Sequence, residues 1–153
     1  MSIFRTDEQA ALNSLLKAAR ETLDHYRDAT ELVETNHAQL FRNIAQQRRD
    51  FVTRLEEAVR MAGDLPVVPD PDKETGEMLI HHVAALLKND YAADVIEQRI
   101  EAEKNLANLT AEAKNTEFEI PDVNLRDDFA SHVSDAIAQL QNAYNQCVAE
   151  IKQ

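Results

Sequence analysis

The sequence is poor in the residues that build turns and strands. It has two glycines, four prolines, no tryptophan and 5% aromatic residues in 153 positions. β-Sandwiches and barrels need turn glycines and aromatic strand residues, and phosphate-binding loops need several glycines close together. These scarcities exclude such folds and favour an all-α protein.

Positive charge is also scarce. The chain has 16 Lys and Arg against 28 Asp and Glu, which gives a net charge of −12. Proteins that bind nucleic acids or anionic membranes without specificity need the opposite sign, so we expect neither a nucleic acid nor a membrane as partner. The charges alternate along helix faces, which is typical of a solvated surface.

Cysteine and long apolar runs are almost absent. The one cysteine, Cys147, excludes an intramolecular disulfide framework, and its place on an apolar helix face favours a buried thiol over a reactive one. No stretch approaches the roughly 18 apolar residues of a membrane span, and the N-terminus has no apolar signal core. We therefore expect a cytoplasmic protein that forms one domain over residues 1–153.

The apolar residues that are present recur at intervals of three and four, which predicts four long helices. These helices are expected at roughly 6–33, 36–62, 91–115 and 122–152. Thr6 can cap the first helix, and Gly63 can close the second in a left-handed conformation. The junction near Thr35 and Asn36 has neither Gly nor Pro, and we favour a short turn there over one continuous helix.

The longest break in the periodicity follows the second helix. Three prolines lie between Leu65 and Asp72, so we interpret this segment as a crossover loop with few buried contacts and expect it to be mobile. A short amphipathic helix is predicted at roughly 76–88. Four amphipathic helices with one long connection predict a four-helix bundle, because each apolar stripe then finds a partner.

Several stretches of the chain carry a resemblance to a known family. Leu12 to Leu16, His25-Tyr26-Arg27-Asp28-Ala29, and Ala45 to Ala62 with the closing Gly63 resemble a bacterial ferritin-like four-helix-bundle family of unknown function. The resemblance implies a ferritin-like bundle whose one long crossover carries a short extra helix. It implies no particular activity, because a fold does not fix a function.

The ligands of a di-metal centre are not evident. Ferritin-like metal proteins use inward carboxylates from two helices and a Glu-x-x-His pair from each of the other two, and the helix faces here do not supply that set. Arg48 and Arg99 fill the gaps in the apolar stripes of the second and third long helices. Two cations thus lie where metal ions would need anions, and we expect no metal and no cofactor. Because glycine-based catalytic motifs are also missing, we expect no catalytic residues.

A small set of polar residues is predicted to lie in or near the bundle interior. We expect Arg48 and Arg99 to lie near the middle of the bundle, where each either pairs with a carboxylate or extends its stem to the surface. Glu103, one turn after Arg99, is the nearest carboxylate. The alternative is that helix rotation places both arginines at the boundary. The complete set of polar interior candidates is Tyr26, Arg48, Arg99, Glu103 and His132.

Three functions are compatible with this sequence. The first is a non-enzymatic ferritin-like bundle that acts as a structural or interaction protein. The second is a metal-binding oxidoreductase or metal-storage protein with a non-standard site that uses Tyr26, His132 and flanking acids. The third is a helical binding or sensor domain with a ligand inside the bundle. Metal analysis of purified protein separates the first two.

The third long helix has more apolar surface than one bundle interior needs. Beside its main stripe, Ala93, Ile96, Ile100 and Ala107 line a second face at three- and four-residue spacing. The short helix predicted at 76–88 can cover that face. A symmetric homodimer can also cover it, and both remain open. The sequence indicates no other protein partner.

Overall fold

The computed structural model describes residues 4–68 and 91–151. Within these ranges the chain forms helices, turns and loops without strands. The four helices are α1 (Asp7–Thr30), α2 (Thr35–Met61), α3 (Tyr91–Ala113) and α4 (Leu125–Ile151). The prediction of an all-α fold with four long helices is therefore confirmed for the described residues. The short helix predicted at 76–88 lies outside the described residues.

The helix ends follow local sequence signals. The Thr6 hydroxyl accepts from the backbone N–H of Gln9 at 3.1 Å, and the Gln9 side chain accepts from the backbone N–H of Thr6 at 2.9 Å. This reciprocal capping box starts α1. Gly63 has φ of +83°, and the backbone N–H groups of Gly63 and Asp64 donate to the carbonyls of Arg60 and Val59. This Schellman arrangement ends α2.

The helices form two antiparallel hairpins. A four-residue turn, Glu31 to Glu34, separates α1 from α2, so the predicted break between these helices is confirmed. A longer loop, residues 114–124, joins α3 to α4. The hairpins meet where α1 contacts α3 and α2 contacts α4. Burial of the four apolar stripes between the hairpins forms one core.

The second apolar face of α3 belongs largely to this core. Ala93, Ile96 and Ile100 are buried within a single chain, and Ala107 is partly buried against the same cluster. This face therefore leaves no large apolar surface for a second copy and no longer favours a homodimer. The homodimer itself stays a prediction.

Helices α2 and α3 run in the same direction. Tyr26 of α1 contacts Glu103 of α3, and Leu15 of α1 lines one pocket with Leu109 of α3, so these two helices are antiparallel. Arg48 and Arg54 of α2 contact His132 and Asp128 of α4, so this second pair is antiparallel as well. The chain consequently leaves α2 at one end of the bundle and enters α3 at the other.

The segment after α2 is held against α1. The Asn13 amide accepts from the backbone N–H of Val67 at 3.0 Å and donates to the carbonyl of Leu65 at 3.2 Å. The Arg20 guanidinium also donates to the Val67 carbonyl and pairs with Glu56 at 2.7 Å. The expectation that this loop has few contacts is wrong for its first residues. Residues 69–72 lie outside the described ranges.

None of the four described helices combines the length and apolar character that a membrane-spanning segment needs.

Candidate functional site

A cluster of buried polar side chains occupies the middle of the bundle, with contributions from every helix. Helix α1 supplies Thr22 and, one turn later, Tyr26. Arg48 comes from α2, Glu103 from α3 and His132 from α4. Arg48, Glu103 and Tyr26 have no exposed surface, while Thr22 and His132 are 6% and 7% exposed. We call these five residues the central network.

Arg48 is the hub of the central network. Its Nε donates to His132 Nε2 at 2.9 Å, and its two terminal nitrogens donate to Thr22 Oγ1 at 2.6 Å and Glu103 Oε2 at 2.7 Å. A planar guanidinium can bind three partners in different directions, which a lysine ammonium on a flexible stem cannot reproduce. The buried charge of Arg48 is thus compensated by one carboxylate and two neutral acceptors.

Glu103 holds two donors at once. One carboxylate oxygen pairs with Arg48, and the other accepts from the Tyr26 hydroxyl at 2.7 Å. Burial and the negative charge of Glu103 raise the pKa of Tyr26 well above its ordinary value of 10. Tyr26 therefore keeps its proton and remains a hydrogen-bond donor throughout the physiological pH range.

His132 is held in its neutral form. Its Nε2 accepts from Arg48, so the proton of the neutral ring is assigned to Nδ1. Burial and the nearby Arg48 charge lower the pKa of His132 from 6.5 to about 4, because both disfavour the imidazolium. The ring also stacks on Phe51 with centroids 4.9 Å apart.

Arg99 lies beside the central network. It is 5% exposed, and its guanidinium carbon is 6.0 Å from the centre of the Tyr26 ring, while that of Arg48 is 5.9 Å away. All five polar interior candidates named from the sequence are therefore buried in one neighbourhood. The carboxylate of Glu103 forms its ion pair with Arg48 of α2, a contact between helices that sequence spacing cannot reveal.

These residues do not fit a di-metal centre. Within the described ranges no three His, Cys, Asp or Glu side chains are grouped so that they could hold a metal ion. The Glu103 carboxylate and His132 Nε2, which would be the metal ligands, already accept hydrogen bonds from a cation. A metal ion would have to displace the Arg48 guanidinium and then lie beside its charge.

A second polar pair lies at the end of the bundle where α2 begins and α4 ends. His37 Nε2 is 3.3 Å from Cys147 Sγ, and the two residues are 9% and 6% exposed. Burial, with smaller effects from Glu150 and Glu34, raises the pKa of the Cys147 thiol. The expectation of an unreactive, buried cysteine agrees with this environment.

One feature of this pair is present in the sequence but is not among the predicted site residues. Glu34 and His37 have the Glu-x-x-His spacing, and they are the one such pair in the chain. The sequence shows this spacing directly. Glu34 is, however, the residue before the first turn of α2, so the pair lies far from the centre of the bundle, where a di-metal centre would be. The partner of His37, Cys147, is 110 positions away, and no sequence signal connects them.

The opposite end of the bundle carries exposed apolar side chains. Met61 is 58% exposed and Val123 is 81% exposed. Beside Met61 a cleft of about 330 Å³ extends to Ile120 and Pro121. Arg54 fixes this region, because its guanidinium forms two parallel hydrogen bonds to Asp122, each 2.9 Å long.

No protein-family model, curated protein or solved structure matches the chain.

Proposed function

We propose that the protein is a non-enzymatic, ferritin-like bundle of the cytoplasm that acts as a structural or interaction protein and has no di-metal centre. The ferritin-like assignment is supported by the chain direction, because α2 and α3 run the same way. A bundle with one long crossover between its second and third helices has this direction. Cytoplasmic location is supported by the single unpaired cysteine.

One observation carries this proposal. The fully buried Arg48 guanidinium lies at the centre of the bundle, at 2.7 Å from the Glu103 carboxylate. A ferritin-like metal protein concentrates several carboxylates and imidazoles at this level of the bundle to balance two metal ions. Here a fixed organic cation is bound by the residues that would serve as ligands. The network ties four helices together without offering an open coordination position.

An interaction role is supported by the surface rather than by the interior. The central network has no exposed atoms on Arg48, Glu103 or Tyr26, so a reactant has no access to them. The exposed Met61 and Val123 beside the 330 Å³ cleft form apolar surface, which is more common at contact sites than elsewhere on a protein. A role based on contacts thus agrees better with the geometry than a chemical role does.

Metal analysis tests the proposal. The purified chain is incubated anaerobically with Fe²⁺ or Mn²⁺, freed of unbound metal, and analysed by mass spectrometry of the elements. We expect no stoichiometric iron or manganese. Glu103→Gln is the matched variant, because it removes the one carboxylate of the central network. Stoichiometric metal in the wild type that Glu103→Gln removes would overturn the proposal and favour the metal-binding oxidoreductase or storage protein.

A further inference from the structure

A cleft of about 390 Å³ lies at the end of the bundle where α2 and α3 begin and α4 ends. Its size falls within the range of small-molecule sites, which is a few hundred to about 1,000 Å³. Val33 and Ala93 contribute apolar wall, and Ile151, which is 55% exposed, borders the opening. The cleft is separate from the central network and shares none of its residues.

Two carboxylates border this cleft. Glu34 precedes α2, but its side chain makes no capping hydrogen bond, and Glu150 lies one turn after Cys147 on α4. Across the described ranges neither carboxylate has a hydrogen bond or an ion pair. Both line the same cleft as Cys147, and their charges add to the effect of burial in raising the pKa of its thiol. The rim of the cleft is therefore negatively charged, in a chain whose net charge is already −12.

The buried residues that line the cleft include one histidine and the cysteine. His37 and Cys147 lie there in mutual contact, 3.3 Å apart, and the Tyr91 side chain also lines the cavity. An aromatic ring adds an attraction for an ammonium group. A ligand that matches these surfaces has a positive charge for the carboxylates and an apolar body for the walls.

We propose that this cleft binds a small aliphatic amine in its protonated form. Its ammonium group pairs with Glu34 and Glu150, and its alkyl chain packs against Val33 and Ile151. A bare metal ion fits less well, because the space far exceeds one ion and no three metal-binding side chains are grouped in the described ranges. The proposal goes beyond the structural or interaction role, since it assigns a ligand to a site that this role does not use.

Calorimetric titration of the full chain with cadaverine tests the proposal. Cadaverine has two ammonium groups on a five-carbon chain, and pentane-1,5-diol has the same chain without charge. We expect saturable one-to-one binding of cadaverine and no binding of the diol at the same concentrations and ionic strength.

Paired charge variants locate the site. Glu34→Gln with Glu150→Gln removes both carboxylates of the cleft. Glu112→Gln with Glu117→Gln makes the same change in net charge at exposed positions near the other end of the bundle. We expect about tenfold weaker binding in the cleft variant, which corresponds to two partly screened ion pairs, and little change in the control variant.

Three results would overturn the proposal. The first is the absence of saturable cadaverine binding to the wild type, or equal binding of the diol. The second is equal weakening by the cleft and control variants, which would reveal only the general attraction of an acidic protein. The third is one-to-one zinc binding that Cys147→Ser abolishes, because the cleft would then be a metal site. None of these results bears on iron or manganese at the central network, so the proposed function is tested separately.

Discussion

Arg48 and Glu103 form the most heavily buried ion pair described in the chain, and their energetics can be tested by a double-mutant cycle. Both side chains are completely buried and the pair is 2.7 Å long. In Arg48→Met the Glu103 carboxylate keeps its hydrogen bond from Tyr26 but loses its cation. Removal of one member of a buried pair costs about 3–5 kcal/mol, because the other charge stays without compensation. We expect the same range for Glu103→Gln.

The double variant should be much more stable than the sum of these losses. When Arg48→Met and Glu103→Gln are combined, no buried charge is left at the pair, and the introduced amide can still accept from the Tyr26 hydroxyl. Replacement of both members of a buried pair is often nearly neutral. We therefore expect a coupling free energy of at least about 2 kcal/mol between the two positions, which is within the range seen for residues in direct contact.

Urea denaturation followed by circular dichroism measures each free energy of unfolding. Because a domain of this size has about 5–15 kcal/mol of total stability, the single variants should remain folded at low temperature with clearly lower midpoints. Arg48→Lys keeps the charge and serves as a milder control that loses the three-way geometry of the guanidinium. Additivity of the two single losses within about 0.5 kcal/mol, or a loss below about 1 kcal/mol in Arg48→Met, would refute this account.

Three further predictions concern other parts of the structure. The pKa of His132 falls from 6.5 to about 4 on folding, so the unfolded chain binds a proton more readily than the folded one between these pH values. The free energy of unfolding should therefore be highest above pH 6.5 and decline by up to about 3 kcal/mol towards pH 4. Urea midpoints measured across this range should show the decline, and His132→Gln should reduce it. An added Cβ at Gly63 would be 3.7 Å from the nearest side-chain atom and would not clash, so Gly63→Ala should cost about 1 kcal/mol of stability from the positive φ alone. A neutral result in thermal denaturation would contradict the left-handed cap. Ile100→Glu should strongly lower the free energy of unfolding, because Ile100 is only 4% exposed and the new carboxylate would be buried in the core. If light scattering instead shows that the wild type is a dimer and the variant a folded monomer, the homodimer is supported.

The sequence was most informative where the signal is local. The stripe spacing, the Thr6 cap and the Gly63 cap predicted all four described helices to within about three residues at each end, because capping and amphipathicity depend on neighbouring positions. The interruption of the stripes by Arg48 and Arg99 also predicted polar residues in the interior. These features require no knowledge of how helices pack.

The contacts that join distant segments could not be predicted. Arg48 and Glu103 are 55 positions apart, and Cys147 and His37 are 110 apart, so their pairing depends on helix order, rotation and register. The sequence predicts His132 only as a polar residue in or near the interior, because it cannot show that Phe51 of another helix covers the ring. The expectation of few contacts in the loop is wrong at Val67 for the same reason, because its partners Asn13 and Arg20 lie on α1.

The division of the bundle into two hairpins has a consequence for the order of folding. Each hairpin consists of helices that are neighbours in sequence, so each can form early at a small entropic cost. Thr22, Tyr26 and Arg48 belong to the first hairpin, whereas Glu103 and His132 belong to the second. Arg48 and Glu103 therefore lose their water only when the hairpins dock. A shift of one helical turn between the hairpins would separate the two charges and leave both in apolar surroundings, so docking is selective for a single alignment.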